Sequence, residues 1–336
     1  MLRRYVGLIA LVLALAVAAP ALAFEPSTIA VKRLAMIGFT VSDMERAVAF
    51  YEKVLNFEKV DEVEVTGAAY NTLSGLFGSN VRVVHMRLGD QTIELTEYVA
   101  PPGGRPIPVP SHSNDLWFEH MAIVVSDMEK AYEVLRKHRV RQISPEPQTI
   151  PASNVPAAGI KALKFRDPDN HDLELIWGNA RWHKPSNRLF LGIDHTAITI
   201  SNTEQSLKFY RDLLGFKIGG VSLNTGITQE QLDNVFGARV LVTAIDPDAF
   251  PPHIEFLQYE TPPGGRPMPL DSKANDIWHW QPTLVVDDDA AAAKTLRAAG
   301  IRFVSPDVVA VPPGLGFSRG FMVLDPDGHV MRLVQE

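Results

Sequence analysis

The chain repeats itself, and this feature limits its possible folds more than any other. Phe50-Tyr51-Glu52-Lys53-Val54-Leu55-Asn56-Phe57 returns as Phe209-Tyr210-Arg211-Asp212-Leu213-Leu214-Gly215-Phe216. Pro101-Pro102-Gly103-Gly104-Arg105-Pro106 returns as Pro262-Pro263-Gly264-Gly265-Arg266-Pro267. Asn114-Asp115-Leu116-Trp117 returns as Asn275-Asp276-Ile277-Trp278, and Asp167-Pro168-Asp169-Asn170-His171 as Asp325-Pro326-Asp327-Gly328-His329. Four landmarks in one order, offset by 158 to 161 residues, make two homologous halves. Two units of roughly 150 residues account for a chain of 336.

Each half divides again. A β-rich apolar run leading into a helix start occurs at Met36 to Glu45, His120 to Glu129 and His195 to Glu204. Each ends in a Ser-x-x-Glu pattern, Ser42/Glu45, Ser126/Glu129 and Ser201/Glu204, which predicts a serine-capped helix. The fourth run, Gln281 to Asp289, offers Asp287 as its cap. Met44, Val48, Tyr51 and Leu55 then fall on one helical face. Asn56, Gly215 and Gly300 supply left-handed residues that end helices at little cost. Strand-like runs such as Val81-Arg82-Val83-Val84 and Gln91 to Tyr98 follow. The unit reads β-α-β-β-β, four times over, an α+β chain with halves at 24–183 and 184–336.

Residues 1–23 stand apart. Arg3 and Arg4 precede an apolar run from Val6 to Ala19, and Ala21-Leu22-Ala23 has the small residues of an A-x-A cleavage site. This pattern predicts a secretory signal peptide, hence a periplasmic or secreted protein without a stable membrane anchor. A spanning helix needs about 20 apolar residues, more than this run has. The 46% hydrophobic and 21% charged content is that of a folded soluble chain. A net charge of −7 argues against a nucleic-acid partner. With no cysteine there can be no disulfide, thiolate nucleophile or cysteine-held metal, so any metal needs nitrogen and oxygen ligands.

Four βαβββ modules with the Phe-Tyr-x-x-x-Leu-x-Phe helix, Ile93-Glu94-Leu95-Thr96 and the Asp-Pro-Asp turns resemble the vicinal oxygen chelate superfamily, the glyoxalase / bleomycin-resistance / extradiol-dioxygenase group. The resemblance spans about residues 31–336 and implies curved mixed sheets. It also implies ligand positions on the first and last strand of each module. Those positions are Met36 and Glu94, His120 and Glu174, His195 and Glu255, and Gln281 and Arg332. Pairing within halves would give Met36, Glu94, His120 and Glu174 in one site, with His195, Glu255, Gln281 and Arg332 in the other. Pairing across halves, as in fused glyoxalases, gathers His120, Glu174, His195 and Glu255. It leaves Met36, Glu94, Gln281 and Arg332 as a degenerate set in which Arg332 neutralises Glu94.

The crossed arrangement is favoured because it separates good ligands from bad. Its two histidines and two carboxylates suit one divalent ion: zinc, nickel, cobalt, manganese or ferrous iron. The resemblance implies a metal-dependent isomerase or lyase acting on a small oxygen-chelating substrate, as monomer or homodimer. Glu174 is the expected base and Glu255 its counterpart across the ion. Export argues against glutathione hemithioacetals, which are mainly cytosolic. The alternatives are a ferrous extradiol-type dioxygenase and a non-catalytic binding protein of the resistance type. Arg105 and Arg266 could bind a substrate anion, but their repetition favours a structural role. His171 and His329 read as turn residues, and His279, between Trp278 and Trp280, as a possible pocket residue.

Overall fold

The computed structural model describes residues 29–178, 182, 187–248 and 251–336. The expected signal peptide and the 183/184 boundary between the halves lie outside these residues. Among the described residues, no helix is long and apolar enough to cross a membrane.

The first module runs β1 (Val31–Val41), α1 (Met44–Leu55), β2 (Glu58–Thr66), α2 (Ala68–Ser74), β3 (Asn80–Leu88) and β4 (Gln91–Ala100). The second has β5 (Glu119–Val125), α3 (Met128–Lys137), β6 (Arg141–Gln142), β7 (Gln148–Thr149), β8 (Lys161–Arg166) and β9 (Asp172–Trp177). The third opens with β10 (Phe190–Thr199) and α4 (Thr203–Leu207), which continues as a π-helical turn over Lys208–Leu213. It proceeds through β11 (Lys217–Thr225), α5 (Ile227–Asp233), β12 (Arg239–Asp246) and β13 (His253–Thr261). The fourth comprises β14 (Trp280–Val286), α6 (Asp289–Ala298), β15 (Val309–Ala310), β16 (Arg319–Leu324) and β17 (Val330–Gln335).

The modules pair across the halves. One sheet has the order β15-β16-β17-β14-β1-β4-β3-β2, joining modules one and four. The other has the order β11-β12-β13-β10-β5-β9-β8-β6, joining modules two and three. Each therefore takes one module from each half, through the antiparallel pairs β1–β14 and β5–β10. Alternate residues serve opposite faces of these sheets. Ile37, Phe39, Ile123 and Ile198 join α1, α3, α4 and α6 in one continuous core. On the other face, Met36 and Met322 belong to one smaller apolar cluster, Ala197 and Leu257 to another.

Two details depart from the sequence reading. The serines at the helix starts are not the caps. Asp43, Asp127, Asn202 and Asp288 take that role, each accepting the backbone N–H three residues on. Their short side chains sit one residue nearer the helix, and the serines are used elsewhere. Ser42 donates to Asp169 and Ser126 to the Arg188 carbonyl, so both stitch one module to another. The modules are also unequal. Modules one and three insert the short helices α2 and α5 before their third strand. In module two the second strand shrinks to two residues, and in module four to the single bridge Phe303–Val323.

The Pro-Pro-Gly-Gly-Arg-Pro loops clasp the halves together. Arg105 donates through Nε (3.0 Å) and Nη2 (2.6 Å) to Asp276 and lies over the Trp278 ring. Arg266 repeats this with Asp115 and Trp117. Gly104 and Gly265 are required for it, because a Cβ there would sit 1.6 Å from the Asn275 carbonyl oxygen and 1.7 Å from that of Asn114. The arginines are structural. So are the turn histidines: His171 donates through Nδ1 to Asp167 and through Nε2 to the Ile277 carbonyl, at 2.8 Å each. His329 matches this with Asp325 (2.9 Å) and the Leu116 carbonyl (2.8 Å).

Candidate metal centre

β5 and β10 lie side by side at the middle of the second sheet, with β9 and β13 parallel to them on either flank. His120 stands opposite Ala197, and His195 opposite Ala122. Ala122 also neighbours Glu174, and Ala197 neighbours Glu255. Two small residues thus alternate with four ligand-type side chains on one face. The alanines leave the space into which the longer side chains converge.

His120 Nε2 is 3.3 Å from Glu174 Oε2, and His195 Nε2 is 3.6 Å from the same oxygen. His195 Nε2 is also 3.6 Å from Glu255 Oε2. One ligand atom from each of His120, Glu174 and His195 falls within a 4.8 Å cluster, and Glu255 joins it through His195. Both ring nitrogens of His120, and Nε2 of His195, are buried without a hydrogen-bond partner. Such atoms cost about 1–3 kcal/mol each unless something occupies them. A divalent ion at this point would satisfy the two Nε2 atoms and both carboxylates together, so the donor set fits the metal expected from the sequence.

The electrostatics set the two histidines apart. Burial pushes His120 below its ordinary pKa, leaving the neutral imidazole that a metal requires. Burial opposes the charge on Glu174 as well. His120, His195 and Lys164 outweigh it and hold the carboxyl well below its usual range. Burial likewise disfavours His195 cation formation, yet Glu255, Asp194 and Glu174 raise its pKa well above normal. Glu255 is the more accessible carboxylate, with 22% of its side chain exposed against 7% for Glu174.

Several surrounding residues escaped the sequence reading. Asp194 Oδ2 is 3.0 Å from His195 Nδ1 and accepts its proton, which directs Nε2 at the cluster. Neighbours on a strand normally point apart. A bulge between Ile193 and His195 brings Asp194 to the same ring. Trp182 Nε1 donates to Asp194 Oδ1 at 2.7 Å. Lys164 lies directly across from Glu174 in the sheet and donates to Asp233 at 2.6 Å. His253 Nε2 is 3.4 Å from Glu255 Oε1. Only Asp194, next in sequence to a ligand position, left a local signal.

The other sheet presents the second set of positions, filled differently. Arg332 donates to both oxygens of Glu94, and Gln281 Nε2 donates to Glu94 Oε1 at 2.7 Å. Arg332 Nε donates to Thr283 Oγ1 at 2.9 Å, and Met36 packs among apolar neighbours. Gly38 is needed here, since its Cβ would approach Gln281 Cγ to 2.9 Å. A permanent cation stands against the carboxylate here. His279 is buried, held below its ordinary pKa at about 4 by burial, and its Nε2 is 3.2 Å from Gln281 Oε1.

Two segments, residues 33–175 and 192–333, match the model of one protein family. The chain belongs to the Glyoxalase/Bleomycin resistance protein/Dioxygenase superfamily. A protein named 2-epi-5-epi-valiolone epimerase, from Actinomyces sp, is 32% identical over 156 residues, covering 45% of this chain and 80% of that protein. Glyoxalase I from Zea mays superposes with a TM-score of 0.58 at 16% identity, covering 90% of this chain and 92% of the other. A point variant of the same maize enzyme gives a TM-score of 0.60. These structural likenesses establish the superfamily fold and leave the chemistry to the site.

Proposed function

We propose that this protein is a metal-dependent, glyoxalase-like isomerase of the epimerising kind, exported from the cytoplasm and acting on a small substrate that chelates through oxygen. One observation carries the reading. Two carboxylates, Glu174 on β9 and Glu255 on β13, stand at 3.6 Å from one histidine nitrogen that has no hydrogen-bond partner, on the two strands that flank the central pair β5 and β10. A bound divalent ion would polarise a substrate carbonyl and stabilise the negative charge that develops when the adjacent C–H loses its proton.

The rest is done by the chain. Glu174, whose surroundings hold it in the ionised form, takes the proton from the carbon next to the carbonyl. Glu255, whose side chain is 22% exposed, takes up a proton from solvent and delivers it to the other face while Glu174 gives its proton up to solvent, which inverts that carbon with no net change in protons. Asp194 holds the His195 ring in place. The relative named as an epimerase supports inversion as the outcome. Two candidate bases also suit it better than a two-histidine, one-carboxylate dioxygenase.

The test is deuterium wash-in. Nickel- or zinc-loaded protein in D2O with 2-keto-myo-inositol should exchange the protons next to the carbonyl, followed by NMR. Glu174→Gln should lose this exchange while keeping bound metal. Undiminished exchange in that variant, or oxygen uptake with catechols by the iron-loaded protein, would overturn the proposal.

A further inference from the structure

Edge strand β11 and the segment following β7 face each other at the open side of the second sheet. Between them is a cavity of about 190 Å³ whose lining includes Ile150, Asn154, Asn224, Thr225, Thr228 and Gln229. Among the described residues, no ionisable side chain lines it. It belongs to the same face as the metal centre. Asn224 pairs with Val240, and Val240 with Tyr259, which lies four residues along β13 from Glu255. Residues an even number apart on a strand share a face.

Asn154 Nδ2 donates to Asn224 Oδ1 at 2.6 Å, tying one wall of the cavity to the other. Gln229 is only 4% exposed. Its Nε2 donates to Asp233 Oδ2 at 2.7 Å, which fixes how the amide is turned. Its Oε1 is left buried and without a donor. Asp233 meanwhile accepts from Lys164 Nζ at 2.6 Å and from the Tyr259 hydroxyl at 2.7 Å. Lys164 stands opposite Glu174. Hydrogen bonds therefore run from the Gln229 amide through Asp233 to Lys164, whose strand position pairs with that of the carboxylate assigned as base.

A pocket of amides and hydroxyls with no charged group selects against carboxylate, phosphate or thioester-linked anionic tails, whose charge it cannot neutralise. It suits a ligand that brings neutral hydroxyl donors to an orphaned amide oxygen. We propose that this cavity is the subsite for the non-reacting end of the substrate, that this end is an uncharged polyhydroxylated carbon skeleton, and that Gln229 Oε1 accepts one of its hydroxyls. The inference rests on the isomerase reading above and supplies the substrate class that reading leaves open.

Binding, rather than turnover, tests it. Calorimetry on the nickel-loaded full chain should show saturable binding of 2-keto-myo-inositol. Gln229→Leu should weaken it about tenfold, the loss of one buried hydrogen bond of about 1.4 kcal/mol. Asn224→Ala, which keeps Gln229 and Asp233 intact, should weaken it less and guards against a folding defect in the first variant. Pyruvate, which carries the chelating oxygens without the polyol, should bind all three proteins equally. Unchanged affinity for the ketocyclitol in both variants, or a wild type that binds pyruvate but not the ketocyclitol, would overturn the subsite. The Glu174→Gln exchange experiment would stand or fall separately, since that variant should still bind the ketocyclitol.

Discussion

Arg332 grips Glu94 with both guanidinium nitrogens, at 2.9 and 2.8 Å, and both side chains are fully buried. This pair occupies the position that, in the other sheet, is held by Glu174 and its neighbours. Where the second sheet gathers two histidines and two carboxylates, the first sets a guanidinium against a carboxylate.

Removing half of that pair should be costly. Arg332→Met leaves a buried, unpaired carboxylate and is expected to destabilise the protein by roughly 3–5 kcal/mol in urea denaturation. Adding Glu94→Leu should recover much of the loss. Similar single and double variants would mean that the guanidinium is dispensable.

Metal content should follow the division between the sheets. Inductively coupled plasma analysis of the purified protein is expected to give one transition-metal ion per chain. His120→Ala or His195→Ala should empty it, and Arg332→Ala should not. Two ions per chain would contradict the plugged second site.

Asp194 should tune affinity rather than provide a ligand. Asp194→Asn is expected to weaken metal binding about 10- to 100-fold by competition with a chelator, with little change in stoichiometry. The physical cause is loss of the carboxylate that fixes the His195 ring. An affinity equal to wild type would remove Asp194 from the support of the site.

Stability should fall on the alkaline side. Burial disfavours charge on His171 and His329, but Asp167 and Asp325 outweigh it and raise both to about 9, from an ordinary value of 6.5. A raised folded-state value gives stabilisation that is complete below about pH 6.5 and lost as pH rises through 9, on the order of 3 kcal/mol per histidine. Melting temperature should therefore drop between pH 7 and 10. The double variant His171→Gln/His329→Gln should flatten that slope, and a slope equal to wild type would rule out these residues as its source.

The clasp between halves is also measurable. Gly104→Ala drives a methyl into the Asn275 carbonyl and should lower the melting point more than Arg105→Ala, which removes an Asp276 partner that is 40% exposed. The reverse order would show that the ion pair, not the close backbone approach, holds the loop.

Much of the molecule was determined by sequence alone. The duplication sets the number of modules, and the family resemblance carried by its motifs points to His120, Glu174, His195 and Glu255 as corresponding positions. The charge on Arg332 marks its own site as spent. Helix ends were legible at Asn56 and Gly300, where a left-handed residue is needed, but not at the caps, where Ser42 and Asp43 are both competent and only the neighbouring Asp169 decides. Tertiary structure decided what no local pattern encodes. Sheet pairing across the halves rests on contacts between residues some 80 to 250 positions apart, as in Ala197 against His120 or Met36 against Thr283. The bulge that turns Asp194 toward His195, and the chain from Gln229 through Asp233 to Lys164, depend on the same long-range register. A sequence states which side chains are available to a face; the register of distant strands decides which of them meet.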